Sequence, residues 1–156
     1  MTTNALATET MEGRRRLQEV AWSISESKGF HDDEPRPDQF DDGVDGDAAF
    51  ETAIQTYAGN RLMLIVSEVA KAHEELRKGN APDFIYYPEA DRLSESGGDP
   101  AEARGPFKPE GIPSEIADVV IRCFDFAGAH GIDLATIIDE KLVYNTSRPF
   151  KHGKKF

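Results

Sequence analysis

The sequence predicts an all-α protein built as a bundle of about four helices. Three observations support this fold class. Apolar residues recur at helical spacing in four segments, and these segments are separated by stretches rich in Gly, Pro and Asp. The alternation typical of strands is nearly absent, with "DFIYYP" at residues 83–88 as the one short candidate. We expect residues 1–156 to form a single domain, a length sufficient to bury a core.

The first two predicted helices each end at a glycine. The first runs from about residue 7 to residue 28 and stops at Gly29. Its apolar face is formed by Leu17, Val20, Ala21 and Ile24. The second is the longest, from about residue 48 to residue 78, and Gly79 ends it. Its apolar stripe is formed by Leu62, Ile65, Val66, Val69, Ala72 and Leu76.

A long connection at residues 81–111 separates the second and third predicted helices. We expect it to be exposed, because its central part "SESGGDPAEARGP" is rich in turn-forming and charged residues. The third helix begins near Pro113, which suits a first helical turn, and ends at Gly131. Its apolar stripe is formed by Ile116, Val120, Cys123 and Ala127. The fourth helix takes Asp133 as its N-cap and runs to about Asn145.

Charge and cysteine content restrict the classes of function. The formal net charge is −11, which argues against a broad nucleic-acid or membrane surface and suits a protein that binds divalent cations. Cys123 is the single cysteine, so we expect a reducing compartment. The first 20 residues lack the apolar core of a signal peptide, and no run is long enough to span a membrane. These features predict a cytoplasmic protein.

Carboxylates at helical spacing form the first candidate site. Glu115 and Asp118 are three residues apart, so both project from one side of the third helix, away from its apolar stripe. On the second helix, Glu68 shares nearly one face with Lys71 and Glu75. Carboxylates placed in this way can share a hard cation such as Mg²⁺. The alternative is that both segments are ordinary solvated helix faces.

The fourth predicted helix changes character along one face. The stripe begins with Leu134, Ile137 and Ile138 and continues with Lys141, Asn145 and Arg148. Buried cations need anionic partners, either the carboxylates of the other helices or the phosphates of a ligand. The alternative is that this end of the helix has left the core and its basic residues favour the helix dipole.

Three segments together are similar to the MazG-like all-α nucleotide pyrophosphohydrolases. They are "LMLIVSEVAKAHEELRKG", "KPEGIPSEIADVVIRCFDFAGAHGIDL" and "IIDEKLVYNTSRPFKHG", which lie between Arg61 and Gly153. The family pattern is Glu-x-x-Glu on one helix and Glu-x-x-Asp on the next. The resemblance implies that these carboxylates hold Mg²⁺, or Mn²⁺, and that water cleaves a nucleoside triphosphate into a monophosphate and pyrophosphate.

Residue by residue, the resemblance implies that Glu68, Glu115 and Asp118 are both metal ligands and catalytic residues. Lys71 stands where the family has its second Glu. The resemblance also implies that Lys141, Asn145 and Arg148 bind the substrate, and that the protomer forms a homodimer or a homotetramer. The preferred base is not predicted, because the match is loosest in residues 1–60.

Lys71 leaves three alternatives open, because a protonated amine repels a cation. Its side chain can swing away and leave three carboxylates, or Glu75 can partly compensate. Alternatively, Lys71 pairs with Glu68 or Glu115 and mimics the metal, which would give a catalytically impaired relative that binds a nucleotide or a protein partner. A helical interaction module with acidic faces is a further alternative.

Overall fold

The computed structural model describes the backbone of residues 2–103 and 105–149 and the side chains of residues 9–103 and 105–149. Within these ranges it contains five α-helices, which are α1 (Thr2–Ser27), α2 (Val44–Arg77), α3 (Pro88–Glu95), α4 (Ile112–Ala129) and α5 (Leu134–Ser147). Two short 3₁₀ helices lie at Pro37–Gln39 and Pro100–Glu102. The all-α prediction is confirmed, with five helices rather than about four. The predicted strand candidate contributes only one isolated antiparallel bridge, between Tyr86 and Glu110.

The chain divides into two compact units, and their boundary at residues 123–124 falls inside α4. The first unit comprises the chain up to Asp33 and from Phe124 onward. In it, α1 packs against α5. Ion pairs reinforce this contact, joining Arg15 to Asp133 at 2.7 Å and Arg14 to Asp139. Among the described residues of this unit, the buried apolar ones are Ala21, Phe124, Ala127 and Ala135.

The second unit, Glu34–Cys123, contains α2, α3, the long connection and the first part of α4. The connection was expected to be exposed, and α3 contains no buried residue. Sequence analysis did not predict α3, because this eight-residue segment, PEADRLSE, carries a single large apolar residue. Pro88 occupies its first turn, where a missing N–H costs no helical hydrogen bond.

The buried faces of α2 and α4 differ from the predicted ones. On α2, Glu68 and Glu75 are buried, while Val66 in the predicted apolar stripe is 52% exposed. On α4, Glu115 is buried and Ile116 is 48% exposed. The expectation that the apolar stripes face the core is therefore wrong at Val66 and Ile116, and the alternative that the carboxylates lie on solvated faces is wrong for Glu68 and Glu115. Acidic residues can face inward here because basic side chains reach them within the same unit.

Among the described residues, no helix combines the length and apolar character that crossing a membrane requires.

Candidate metal centre

Three carboxylates from two helices of the second unit converge at one point. Glu68 comes from α2, and Glu115 and Asp118 come from α4. One oxygen of each lies within 4.8 Å of one oxygen of the other two. The sequence predicted these three residues as a set, and the structure brings them together. We call them the carboxylate cluster.

The backbone before α4 fixes where Glu115 stands. Tyr86 and Glu110 exchange two backbone hydrogen bonds of 3.2 and 2.9 Å, which tie the two ends of the connection together. The next residue, Gly111, has φ = 104°, and a Cβ atom there would lie 2.3 Å from the carbonyl oxygen of Phe84. Only glycine fits both this conformation and this close approach. The amide of Glu115 then donates to the Gly111 carbonyl at 3.2 Å, placing Glu115 in the first helical turn.

Glu68 is the most deeply buried of the three, with 1% of its surface exposed. Its Oε2 accepts a hydrogen bond from Lys71 Nζ at 2.5 Å, and its Oε1 accepts one from Arg122 Nε at 2.6 Å. Burial by itself would raise the pKa of this carboxyl, but the two basic donors outweigh burial and the pKa lies below its ordinary value. Glu68 is therefore ionised, and its negative charge is neutralised by Lys71 and Arg122.

Lys71 points toward the cluster rather than away from it. Besides its bond to Glu68, its Nζ lies 3.9 Å from Glu115 Oε2. Of the three alternatives for this residue, the structure displays the one in which Lys71 pairs with the neighbouring carboxylates. Its side chain is nevertheless 56% exposed, so the amine approaches the cluster from the solvent side.

Glu115 has the opposite electrostatic character to Glu68. Its side chain is 9% exposed, and its Oε2 has no hydrogen-bond donor among the described residues. Burial, followed by the nearby Glu68 carboxylate, raises the pKa of Glu115 above its ordinary value, and the Lys71 amine offsets this only in part. A buried carboxylate oxygen without a donor is costly, and a cation or a donating ligand would remove that cost.

Glu75 does not join the cluster. Its carboxylate accepts hydrogen bonds from Lys78 Nζ at 2.6 Å, Asn80 Nδ2 at 2.6 Å and the Tyr86 hydroxyl at 3.2 Å. The bonds from Lys78 and Asn80 lower the pKa of Glu75. These hydrogen bonds join the end of α2 to the connection, so the carboxylate oxygens of Glu75 are already bound by donors of the protein.

The three predicted substrate-binding residues of α5 lie in the first unit. Lys141, Asn145 and Arg148 are exposed. Lys141 Nζ lies 5.6 Å and the Arg148 guanidinium carbon 5.8 Å from the centre of the Tyr144 ring, so this aromatic side chain groups the two cations. Their role toward a substrate stays a prediction.

Arg122 binds one residue of the carboxylate cluster and was not predicted from the sequence. It lies four residues after Asp118 and seven after Glu115, which places all three on one face of α4. That spacing was the available signal. It does not single out Arg122, because a basic residue one turn after a carboxylate is equally typical of a solvated helix face.

The donor set of the cluster fits a hard divalent cation in part. Carboxylate oxygens are the ligands that Mg²⁺ and Mn²⁺ prefer, and Glu115 Oε2 is buried without a donor. Glu68 fits less well, because both of its oxygens are bound by basic side chains. Glu115 and Asp118 are thus the residues able to hold a cation directly, and Glu68 could join them only if Lys71 moved.

Comparison of the chain with protein-family models, with curated proteins and with solved structures finds no match. The resemblance to the MazG-like family therefore stays a prediction.

Proposed function

We propose that this protein is a divalent-cation-dependent nucleoside triphosphate pyrophosphohydrolase, which converts a (d)NTP into the (d)NMP and pyrophosphate. One observation carries the proposal: three buried or half-buried carboxylates of α2 and α4 lie within 4.8 Å of one another. A site of this kind suits Mg²⁺ or Mn²⁺, which would neutralise the phosphates and lower the pKa of a bound water when present.

In the proposed reaction, water forms a bond to the α-phosphorus while the bond from that phosphorus to the bridging α–β oxygen breaks. Pyrophosphate leaves with the electron pair of the broken bond. The proton released by the water passes to a carboxylate of the cluster. Lys141, Asn145 and Arg148 are the substrate contacts that the resemblance proposes.

The proposal is tested by incubating the protein with each of the common (d)NTPs and Mg²⁺ and measuring pyrophosphate release. We expect Glu115→Gln and Asp118→Asn to abolish release. Glu51→Gln is the matched control, since Glu51 is an exposed carboxylate on α2 outside the cluster. A folded wild-type protein that releases no pyrophosphate above background would refute the proposal.

A second candidate function has its own observation. Lys71 and Arg122 already neutralise Glu68, which favours a catalytically impaired relative that binds a nucleotide or a protein partner without turnover. Lys71→Glu decides between the two functions. Hydrolysis that appears only in this variant supports the impaired relative, whereas turnover by the wild type excludes it.

We propose further that the protomer assembles into a homodimer or homotetramer in the cytoplasm. The support for assembly is the row of α2 side chains that remains about half exposed, namely Leu62, Val66, Val69 and Leu76. Light scattering after size exclusion should give a multiple of 17.3 kDa. Val66→Lys should shift the protein toward the monomer, and a wild-type protein that is monomeric at all concentrations would contradict assembly.

A further inference from the structure

A cavity of about 620 Å³ lies beside the carboxylate cluster, entirely within the second unit. Its walls come from the C-terminal half of α2, from both ends of the connection and from Glu115 on α4. We call it the connection cavity. Its volume falls within the roughly 300–1,000 Å³ of small-molecule sites in proteins. It exists because the connection folds back over α2 through Tyr86, whose hydroxyl reaches Glu75.

One buried polar atom supports the binding of a ligand in the cavity. Glu115 lines it, its side chain is nine-tenths buried, and its Oε2 lacks a hydrogen-bond donor among the described residues. Groups of this kind are rare in folded proteins and imply a partner that is absent from the protein chain itself. A ligand that enters the cavity can reach this oxygen through a bound cation or a donated hydrogen bond.

Three lysines line the same cavity, namely Lys71, Lys78 and Lys108. Lys78 pairs with Glu75 and Lys108 with Glu110, while Lys71 pairs with both Glu68 and Glu115. More than half of each lysine side chain is nevertheless exposed. An ammonium group has three donors, so these lysines retain the capacity to bind oxyanions. Lys108 also interacts electrostatically with Glu115 and Asp118, which places its charge near the cluster.

The charges of the cavity make anion binding conditional on a cation. Its described lining includes those three lysines and the four carboxylates Glu74, Glu75, Glu110 and Glu115. One negative charge is therefore in excess, and a free polyphosphate is not attracted. A divalent cation held by Glu115 and Asp118 would add two positive charges and leave this set, with Asp118 included, without net charge, so the repulsion of an anion would be removed.

We propose that the connection cavity is the polyphosphate-binding part of the substrate site, with Lys78 and Lys108 as phosphate-contacting residues and Lys71 shared between Glu68 and the phosphates. This inference rests on the proposed function and assigns phosphate contacts to the C-terminal end of α2 and to the long connection. It implies an ordered requirement, in which the divalent cation must be present before the polyphosphate binds.

The probe is inorganic tripolyphosphate, titrated into the full-length protein by isothermal calorimetry with and without Mn²⁺. We expect binding only with Mn²⁺, and we expect Lys78→Met and Lys108→Met each to weaken it by about tenfold or more, as for the loss of a charged hydrogen bond. Arg77→Met is the matched control, because Arg77 pairs with Glu74 on α2 but does not line the cavity. If Lys78→Met unfolds after losing its bond to Glu75, Lys108→Met on the connection still decides the question.

Several results would overturn the inference. The first is that the wild-type protein does not bind tripolyphosphate in the presence of Mn²⁺, and the second is that it binds equally strongly without Mn²⁺. The third is that Lys141→Met and Arg148→Met abolish tripolyphosphate binding while Lys78→Met and Lys108→Met retain it. Pyrophosphate release from (d)NTPs separates the two proposals. Hydrolysis that is insensitive to Lys78→Met and Lys108→Met refutes the inference alone, whereas tripolyphosphate binding without any hydrolysis refutes the proposed function alone.

Discussion

Arg122 should stabilise the metal-free protein, because it neutralises a carboxylate that is almost fully buried. Glu68 is 1% exposed, and Arg122 Nε lies 2.6 Å from its Oε1. Removing one partner of a fully buried ion pair costs about 3–5 kcal/mol. Lys71 would still bind Oε2, and the Arg122 side chain is 37% exposed, so we expect Arg122→Met to cost about 1–3 kcal/mol.

The free energy of unfolding is measured by urea denaturation at neutral pH and at one fixed protein concentration, since assembly would add to apparent stability. For a chain of this size, each kcal/mol corresponds to about 2–4 °C in Tm, so thermal melting provides a second reading. Arg77→Met is the control, because it breaks an exposed pair with Glu74 and should cost about 0–1 kcal/mol.

A double-mutant comparison makes this prediction specific to charge burial. Adding Glu68→Gln to Arg122→Met removes the uncompensated carboxylate and should restore part of the lost stability. If Arg122→Met costs no more than Arg77→Met, or if Glu68→Gln in that background restores nothing, then Glu68 does not depend on Arg122 for charge compensation.

Three further substitutions should change the stability of the protein, two by lowering it and one by raising it. Gly111→Ala should destabilise by about 1–3 kcal/mol in urea denaturation, because its φ is 104° and the new Cβ would meet the Phe84 carbonyl oxygen at 2.3 Å. Asp133→Asn should lower Tm at neutral pH, and this deficit should shrink as the pH falls below about 4. The reason is that Arg15, followed by Thr136, lowers the pKa of Asp133, so its contribution is lost on acidification. Glu115→Gln should raise the Tm of the metal-free protein, because burial raises the pKa of this carboxyl and makes its ionised form unfavourable. The same substitution should weaken the binding of Mn²⁺, measured by calorimetry with Mn²⁺ alone.

Each of these predictions has a control or an opposing result. Gly97 has φ = 85° with open space around its missing Cβ, so Gly97→Ala should cost less than Gly111→Ala. A stability deficit of Asp133→Asn that stays constant from neutral pH to strong acid would contradict the ion pair with Arg15. Unchanged Mn²⁺ binding by Glu115→Gln would exclude Glu115 as a ligand.

The helical class and the identity of the cluster followed from local spacing. Residues three apart on a helix share a side whatever the helix packs against, so the pairing of Glu115 with Asp118 needed no tertiary information. Gly29, Gly79 and Gly131 were predicted to end helices, and all three adopt positive φ values in the structure. The connection was predicted to be exposed, although its helix α3 lacks the apolar periodicity that would reveal it.

The inward direction of each helix face was decided only by tertiary structure. Hydrophobic periodicity assumes that apolar side chains face the core, yet α2 and α4 bury Glu68 and Glu115 and leave Val66 and Ile116 about half exposed. A carboxylate can be buried when a cation from elsewhere in the chain reaches it. Arg122 does this from a position 54 residues away in the sequence, a relation that no local pattern contains.

The sequence by itself determined which groups are available: helices, the carboxylate pair Glu115 and Asp118 at helical spacing, and Glu68 with a lysine three residues after it. The tertiary structure decided what these groups do to one another, because charge interactions depend on distance and burial rather than on order in the chain. It placed Lys71 against Glu68, left one oxygen of Glu115 without a donor and opened a lysine-lined cavity beside it.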